Sequence, residues 1–463
     1  MTQILSLALV ALLAYTPLSH CQPDSLADGP NSTAPGTERV GWVSPPDTGR
    51  STWGIITSCF TVFLLCSWKC THLNLPSAAE RRGEWHRWHR IPYLPKLPTC
   101  RKWVRKVCFM ALSVVAPEII VGMAGAQCCR AYIDLREIEE EAEISEFTMS
   151  HAFFARMGGV IVRLPKRGTS PEPTSLTAGH DPEAPDTHSK EPSPGITEGV
   201  PGYIDVACSI PVIVMLMEEG PLPFNVSQED IKEKSQADAL TKLLAIVQAS
   251  WLVIQCIARK VAGLEITQLE LMTTGFILCA LVTYLFWWNK PFDAERPIVI
   301  DCPDALKEYF WRVLDNMEAD PDSWFTNNGN IQVLHDDSRV KDLGIYNFMG
   351  ASFSAIHLAA FNWEFPQPLI QTLWRYFSVA ALVSAVYPVF VVIFFSYVGK
   401  QLSTFGSWME RAYRVARYIL YVLVVINLVS RLALVALTCY CFTSMPASVY
   451  TDIDWTIWYP HFS

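Results

Sequence analysis

Glu118 and Arg431 are the residues whose chemistry demands an account first. Each lies in the middle of a long apolar stretch, Glu118 within Val107–Cys129 and Arg431 within Tyr418–Phe442. An ionised side chain at that depth in a bilayer costs at least ~2.5–3.5 kcal/mol unless it is paired or wet. Asn427 stands one helical turn before Arg431 on the same face. Opposite charges at matching depth have two readings. One is a polar site or pathway inside a helix bundle, and the other is a structural ion pair that fixes helix packing. Gln248 and Gln255 repeat at a heptad interval in a third apolar stretch, and interhelical hydrogen bonding explains them best. Glu270, near the start of a fourth, reads as a side chain that snorkels to the interface.

The remaining candidates are weaker. Trp85-His86-Arg87-Trp88-His89-Arg90 offers two histidines without a third ligand, too few for a metal. Its alternation of aromatic and basic groups suits anionic lipid headgroups, with Arg81, Arg82, Arg87 and Arg90 as the contacts. Cys66, Cys70, Cys100 and Cys108 flank that region and carry a generic palmitoylation signal. Cys208 and Cys302 are the disulfide candidates, if their segments lie in an oxidising lumen. Asn31 and Asn225 open glycosylation sequons. Ser227 of the second sequon also reads as the N-cap of a helix, with Asp230 three residues on. His151, His335, His357 and His461 are scattered, and Gly158-Gly159 lacks the rest of a phosphate loop. No catalytic set, metal site or cofactor is assigned. The formal charge of −9 excludes a bulk polycationic binder of nucleic acid.

The elements that must position these residues are hydrophobic. Residues 1–21 read as a signal peptide, since the apolar run Ile4–Ala14 is too short to span a bilayer. Residues 22–50 form a polar tail without the apolar content to fold. Six spans follow, at 51–68, 107–129, 239–258, 266–288, 376–398 and 418–442. The spans group as 51–129, 239–288 and 376–442. The expected fold class is an all-α membrane protein, a six-helix transmembrane bundle with partly helical lumenal loops and a disordered linker at 164–200. A cleaved signal places the new N-terminus in the lumen. The basic segments 69–106, 259–265 and 399–417 then fall in the cytosol, as positive-inside bias requires. The segments 130–163, 201–238, 289–375 and 443–463 are expected in the lumen. The apolar run 206–217 reads as a buried or interfacial segment and 346–361 as a largely apolar helix, and the sequence leaves open whether either enters the bilayer.

Three motifs carry a resemblance. Ala116-Pro117-Glu118-Ile119-Ile120, His151 through Gly159, and Trp287-Trp288-Asn289-Lys290-Pro291 are similar to those of uncharacterised multi-pass integral membrane proteins of filamentous fungi. The resemblance implies a fungal source and the same architecture, and carries no activity with it. The sequence favours a non-enzymatic transporter, channel or sensor in a secretory-pathway or plasma membrane. An integral-membrane enzyme acting on a lipid or isoprenoid is the first alternative, and a membrane scaffold or assembly factor the second. The lipid bilayer and its cytosolic anionic headgroups are the expected partners.

Overall fold

The computed structural model describes residues 38–44, 50–81, 83, 85–88, 91–141, 147–167, 196–197, 202–235, 239–316, 333–334, 343–401, 406–453 and 455. The signal segment, Asn31, Arg82 and Arg90 lie outside them, as does the linker from 168 to 195.

The chain is mainly helical. Helix α1 (Thr52–Cys70) opens on Ser51, whose hydroxyl accepts the Gly54 N–H. Helices α2 (Leu97–Val115) and α3 (Pro117–Glu141) follow, bent by 111° where they meet. Short helix α4 (Met149–Arg156), α5 (Ile210–Glu219) and α6 (Gln228–Lys234) belong to the region between the apolar stretches. Then come α7 (Ala239–Val261), α8 (Gln268–Phe286), α9 (Lys307–Asn316), α10 (Leu343–His357) and the long pair α11 (Pro368–Gln401) and α12 (Gly406–Cys441). Among the described residues, four helices are long and apolar enough to cross a membrane, within α1, α8, α11 and α12. The bent pair makes a fifth if it counts as one span. The protein is a multi-helix membrane protein.

Sheet appears where only helix and loop were expected. Arg39–Val40 (β1) pairs with Met445–Pro446 (β9), so the end of the polar tail is folded. Trp85–Trp88 (β2) and Ile91–Pro95 (β3) form a hairpin. Val160–Pro165 (β4) pairs antiparallel with Tyr203–Cys208 (β6) and parallel with Ile298–Asp301 (β7). Ile196–Thr197 (β5) and Val333–Leu334 (β8) add to β6. Alternation was hidden in β4 and β6 because they are buried nearly throughout and read as continuous apolar runs, while β7 has one buried residue, Ile300. Phe153, Phe154, Ile213, Leu216 and Phe310 pack around this sheet. The run 206–217 is therefore β6 plus α5, buried and not a span, as the sequence indicated.

Contacts fix which ends of the long helices lie together. At one end, Arg50 pairs with Glu270 and donates to the Val449 carbonyl. Arg259 donates there to the carbonyls of Ser448, Val449 and Thr451, and Lys260 lies over the Trp363 ring. At the other end, Lys106 pairs with Asp293 over the Trp68 ring, and Lys102 with Glu295. Lys290 meets Asn74, and the Leu75 N–H donates to the Met157 carbonyl. The described residues of 69–106 thus share one body with those of 130–235 and 289–316. Residues 259–267 share the opposite end with the N-terminal tail and 444–451.

This differs from the expected sidedness, which put 259–265 with 69–106 and put 130–238 across the bilayer from them. The physical reason is α2–α3. Running out from Lys102 and Lys106, the chain reaches its bend at Ala116 and returns, so that Gln127 meets Trp287 and Lys290 at the end it started from. The stretch 107–129 is two helices bent by 111° at Ala116, not one straight span. Arg259 is buried and tied to carbonyl oxygens instead of lying free in a loop.

Candidate functional site

The bend is built by sequence. Pro117 has no N–H and pushes Ala116 out of the helical region, to φ −140 and ψ 68. Proline then suits the first turn of α3. In a continuous helix the Ile119 N–H would serve the Val115 carbonyl. It bonds Ala116 instead, at 3.0 Å. That leaves Val115 as an open carbonyl at the C-terminal end of α2. Glu118 sits in the first turn of α3, where the helix dipole favours a carboxylate.

Arg431 serves both. Its Nη2 lies 2.8 Å from Glu118 Oε1, and its Nη1 donates to Glu118 Oε2 at 2.8 Å. Nη1 also donates to the Val115 carbonyl at 3.1 Å. The guanidinium rests 4.9 Å from the Phe353 ring centroid on α10. Both charged residues are buried, at 8% and 6% exposure. The pairing expected from sequence is present and bidentate. Arg431 lies ten residues from the end of α12, about 15 Å along the axis, half of a ~30 Å hydrocarbon core. Non-helical backbone at that depth is tolerated when buried in protein, and here an arginine on α12 completes it.

Asn427 does not bridge the pair. Its amide donates to the Ala381 carbonyl at 3.1 Å and Ser384 Oγ at 2.9 Å, tying α12 to α11. Gly350 lets α10 pass close by. A Cβ there would stand 3.5 Å from Glu118 Cγ and 3.6 Å from the Ala385 methyl.

The surrounding layer is polar and not fully bonded. Trp374 Nε1 donates to the His357 carbonyl, and Gly350 faces Ala385. In that antiparallel register, Ser354 on α10 is level with Ser378 on α11. The Asn427–Ala381 bond sets α11 against α12 so that Ser378 is level with Arg431. Ser354 Oγ, Ser378 Oγ and Arg431 Nε are all buried without a hydrogen-bond partner among the described residues. Buried polar atoms in native proteins are nearly always bonded, to protein or to water. Sequence reading missed Phe353, Ser354 and Ser378, since serines and a phenylalanine in apolar helices carry no signal alone.

The other candidates fall elsewhere. Glu270 does not snorkel. It closes a capping box with Thr267 and pairs with Arg50, 4% exposed. Lys290 does not snorkel either. It is 1% exposed, with Nζ 3.0 Å from Asn74 Oδ1, 2.8 Å from Gln127 Oε1 and 4.6 Å from the Trp287 centroid. Burial holds its ammonium well below the usual lysine range. Gln248 and Gln255 both lie on α7. The Gln248 side chain is outside the described residues, and Gln255 is half-buried with no partner among them.

Arg81 is committed to protein, donating to the Pro76 carbonyl at 2.9 Å, and burial draws its guanidinium down. Arg87 falls on β2 with its side chain outside the described residues. Arg105 forms a bidentate pair with Glu80. Among the described basic residues of this region, Lys102, Arg105 and Lys106 are used in ion pairs with their own body. His151 Nδ1 accepts the Thr148 N–H and Nε2 meets the Val226 carbonyl, a capping role. Among the described residues no group of three or more His, Cys, Asp or Glu is placed to hold a metal ion.

Cys208 and Cys302 are separate thiols. Cys208 ends β6 and Cys302 follows β7, and these strands flank β4 on opposite sides. Two strand spacings of ~4.8 Å each already exceed the ~7 Å Cα separation a disulfide allows. Burial pushes the Cys302 thiol up to about 11 and raises that of Cys208 as well, so both are unreactive. Asn225 is exposed, and Ser227 is engaged as N-cap, its hydroxyl accepting the Asp230 N–H at 3.1 Å. The same serine's N–H and hydroxyl hold the Asp230 carboxyl below its ordinary value.

A model of a family of unknown function, DUF8562, matches residues 26–178 and 205–317. That is more than half of the chain, and it includes Glu118 but not Arg431. No curated protein and no solved structure matches.

Proposed function

The chain belongs to the DUF8562 family, a family of unknown function, and we propose that it is a non-enzymatic membrane protein of the channel or transporter type, gated at the bend between α2 and α3. The observation that carries this reading is the mid-depth layer that holds the Glu118–Arg431 pair and three unpartnered buried donors, on Ser354, Ser378 and Arg431. Such a layer recruits water. Broken helices whose ends meet polar groups at the bilayer midplane are the usual means of holding a small polar solute there. An ion pair joining the hairpin to α12 closes the layer, and its opening would admit water from one side.

The reading includes a revised six-crossing bundle. The crossings are α1, α7, α8, α10 with its extension to Ala360, α11 and α12. Residues 343–360 cover about 27 Å as helix, close to the ~30 Å core. The hairpin α2–α3 enters and leaves on one face. That face carries the described residues of 69–106, the sheet and the first turns of α12 with Arg411, Arg414 and Arg417, so positive-inside bias makes it cytosolic. Both termini then lie on the opposite face, as the signal segment requires.

The test is flux. Reconstituted vesicles with trapped pH and chloride dyes are given a proton or chloride gradient. The wild-type protein, or a Glu118→Gln variant that loosens the latch, should dissipate one of them faster than protein-free vesicles. Ser354→Val with Ser378→Val should suppress that flux. Vesicles that hold both gradients with wild type and Glu118→Gln alike would end the channel and transporter reading.

A further inference from the structure

A cavity of about 330 Å³ lies between α7, α8 and α10, within the range of small-ligand pockets. Its wall is hydrocarbon. Ile246, Leu278, Leu281, Val282 and Leu285 supply one side, and Phe348, Met349 and Ile356 the other. Its few polar groups are at Ser352, Tyr284, Trp288 and Cys279. The Ser352 hydroxyl donates to the Phe348 carbonyl at 2.9 Å, and the Tyr284 hydroxyl is buried without a hydrogen-bond partner among the described residues. A wall with so little polar surface suits an apolar ligand over a polar solute.

Its position selects the occupant. Along α8 the lining runs from Leu278 to Trp288, about 15 Å of helix, which is one leaflet of a ~30 Å core. Trp288 stands at the end shared with the basic region, the depth that suits an interfacial indole. Leu285 is 65% exposed and Trp288 46%, so the mouth opens sideways at the helix surface that would face lipid. The inner wall is Cys279 and Phe353, which pack on Val121 of α3. Phe353 is also the ring under Arg431.

We propose that this cavity takes one acyl chain of a membrane phospholipid, from the leaflet on the side of residues 69–106, with the chain's tip against Phe353. The occupied site packs against the ring that lies 4.9 Å from the Arg431 guanidinium. Lipid content thereby bears on the gate. This inference rests on the membrane reading above.

The full-length protein is reconstituted in phosphatidylcholine vesicles whose acyl chains carry a photoactivatable diazirine, and labelled peptides are identified by mass spectrometry. Label is expected on Leu278–Leu285 of α8 and Phe348–Ile356 of α10. Ser352→Trp or Val282→Phe, which fill the space, should reduce that label at least tenfold. Label on the exposed α12 face at Val422, Val425 and Leu432 should stay unchanged in the same variants, which also reports that they are folded. Label on α12 alone overturns the acyl-chain site and leaves the membrane reading standing. Undiminished α8 and α10 label in both filled variants also overturns it, since the lipid would then lie outside the cavity. No label on either face sinks the membrane reading, and this site with it.

Discussion

Glu118→Gln, Arg431→Met and their combination separate a coupled buried pair from two independent polar residues. In the wild type, two N–O contacts of 2.8 Å join them at under a tenth exposure. Removing either partner strands a charge in a low-dielectric site, which typically costs ~3–5 kcal/mol. Arg431→Met also leaves the Val115 carbonyl open, a further ~1–3 kcal/mol if no water reaches it. The double variant removes both charges and retains only the open carbonyl and the lost packing on Phe353. Its loss should be about 2–4 kcal/mol, well short of the sum of the singles. The coupling would then be at least ~2 kcal/mol, near the upper end for residues in contact. Equilibrium unfolding in mixed micelles measures all four species. Additivity within ~0.5 kcal/mol would refute the pairing as an energetic unit. A single variant as stable as wild type would show that the site is already wet.

Four further outcomes are expected. Gly350→Ala should be tolerated within ~1 kcal/mol and Gly350→Leu should cost ~1–3 kcal/mol by overpacking against Glu118 and Ala385; equal thermal stability in detergent would contradict the close approach. Lys290→Met should remove a pH dependence: with its folded pKa depressed, the unfolded chain binds more protons up to the ordinary value of ~10.4, so wild-type stability relative to the variant should rise as the pH is raised toward that value, and a flat difference would show that Lys290 titrates normally. Asn31→Gln should abolish an endoglycosidase-sensitive mobility shift and Asn225→Gln should change nothing; a glycan on Asn225 would put the sheet on the lumenal face and overturn the revised sidedness. Deleting residues 170–193 should leave the protein folded, because lengthening or shortening such a loop changes closure entropy little, whereas a deletion through Ile196–Thr197 removes β5 from the sheet and should lower the unfolding temperature by several degrees.

The ion pair was legible because burial of charge is rare in apolar helices, so Glu118 and Arg431 pointed to each other without any structural input. The capping boxes at Ser227 and Thr267 were open to the same kind of reading, since a cap is a local device written in three or four residues. The sheet was not. Its strands come from residues 160–165, 203–208 and 298–301, and pairings that distant leave no periodic trace. Arg163 and Asp205 face each other across β4 and β6 at 2.7 Å, but nothing near either residue in sequence announces the other.

The hairpin shows most clearly where hydropathy stops being informative. A stretch of apolar residues states that its side chains avoid water; it does not state whether the axis continues or reverses. Pro117 was visible, yet a proline in a span more often kinks it than turns it back. What decides between them lies on other elements. Gln127 must find Trp287 and Lys290, and Lys102 and Lys106 must find Glu295 and Asp293 at the same end. One reversed segment then inverts the assignment of every loop up to the next misread element. In the proposed topology the next such element is Phe348–Ala360, a short apolar helix that leads to Trp363, beside Lys260. On the proposed topology the two changes cancel, so six crossings and a shared face of both termini are kept while the sides of 130–238, 259–265 and the 289–316 region exchange. Count and terminal sidedness constrain a topology only by parity, so an even number of errors passes unseen. Contacts between loops carry the information that parity lacks.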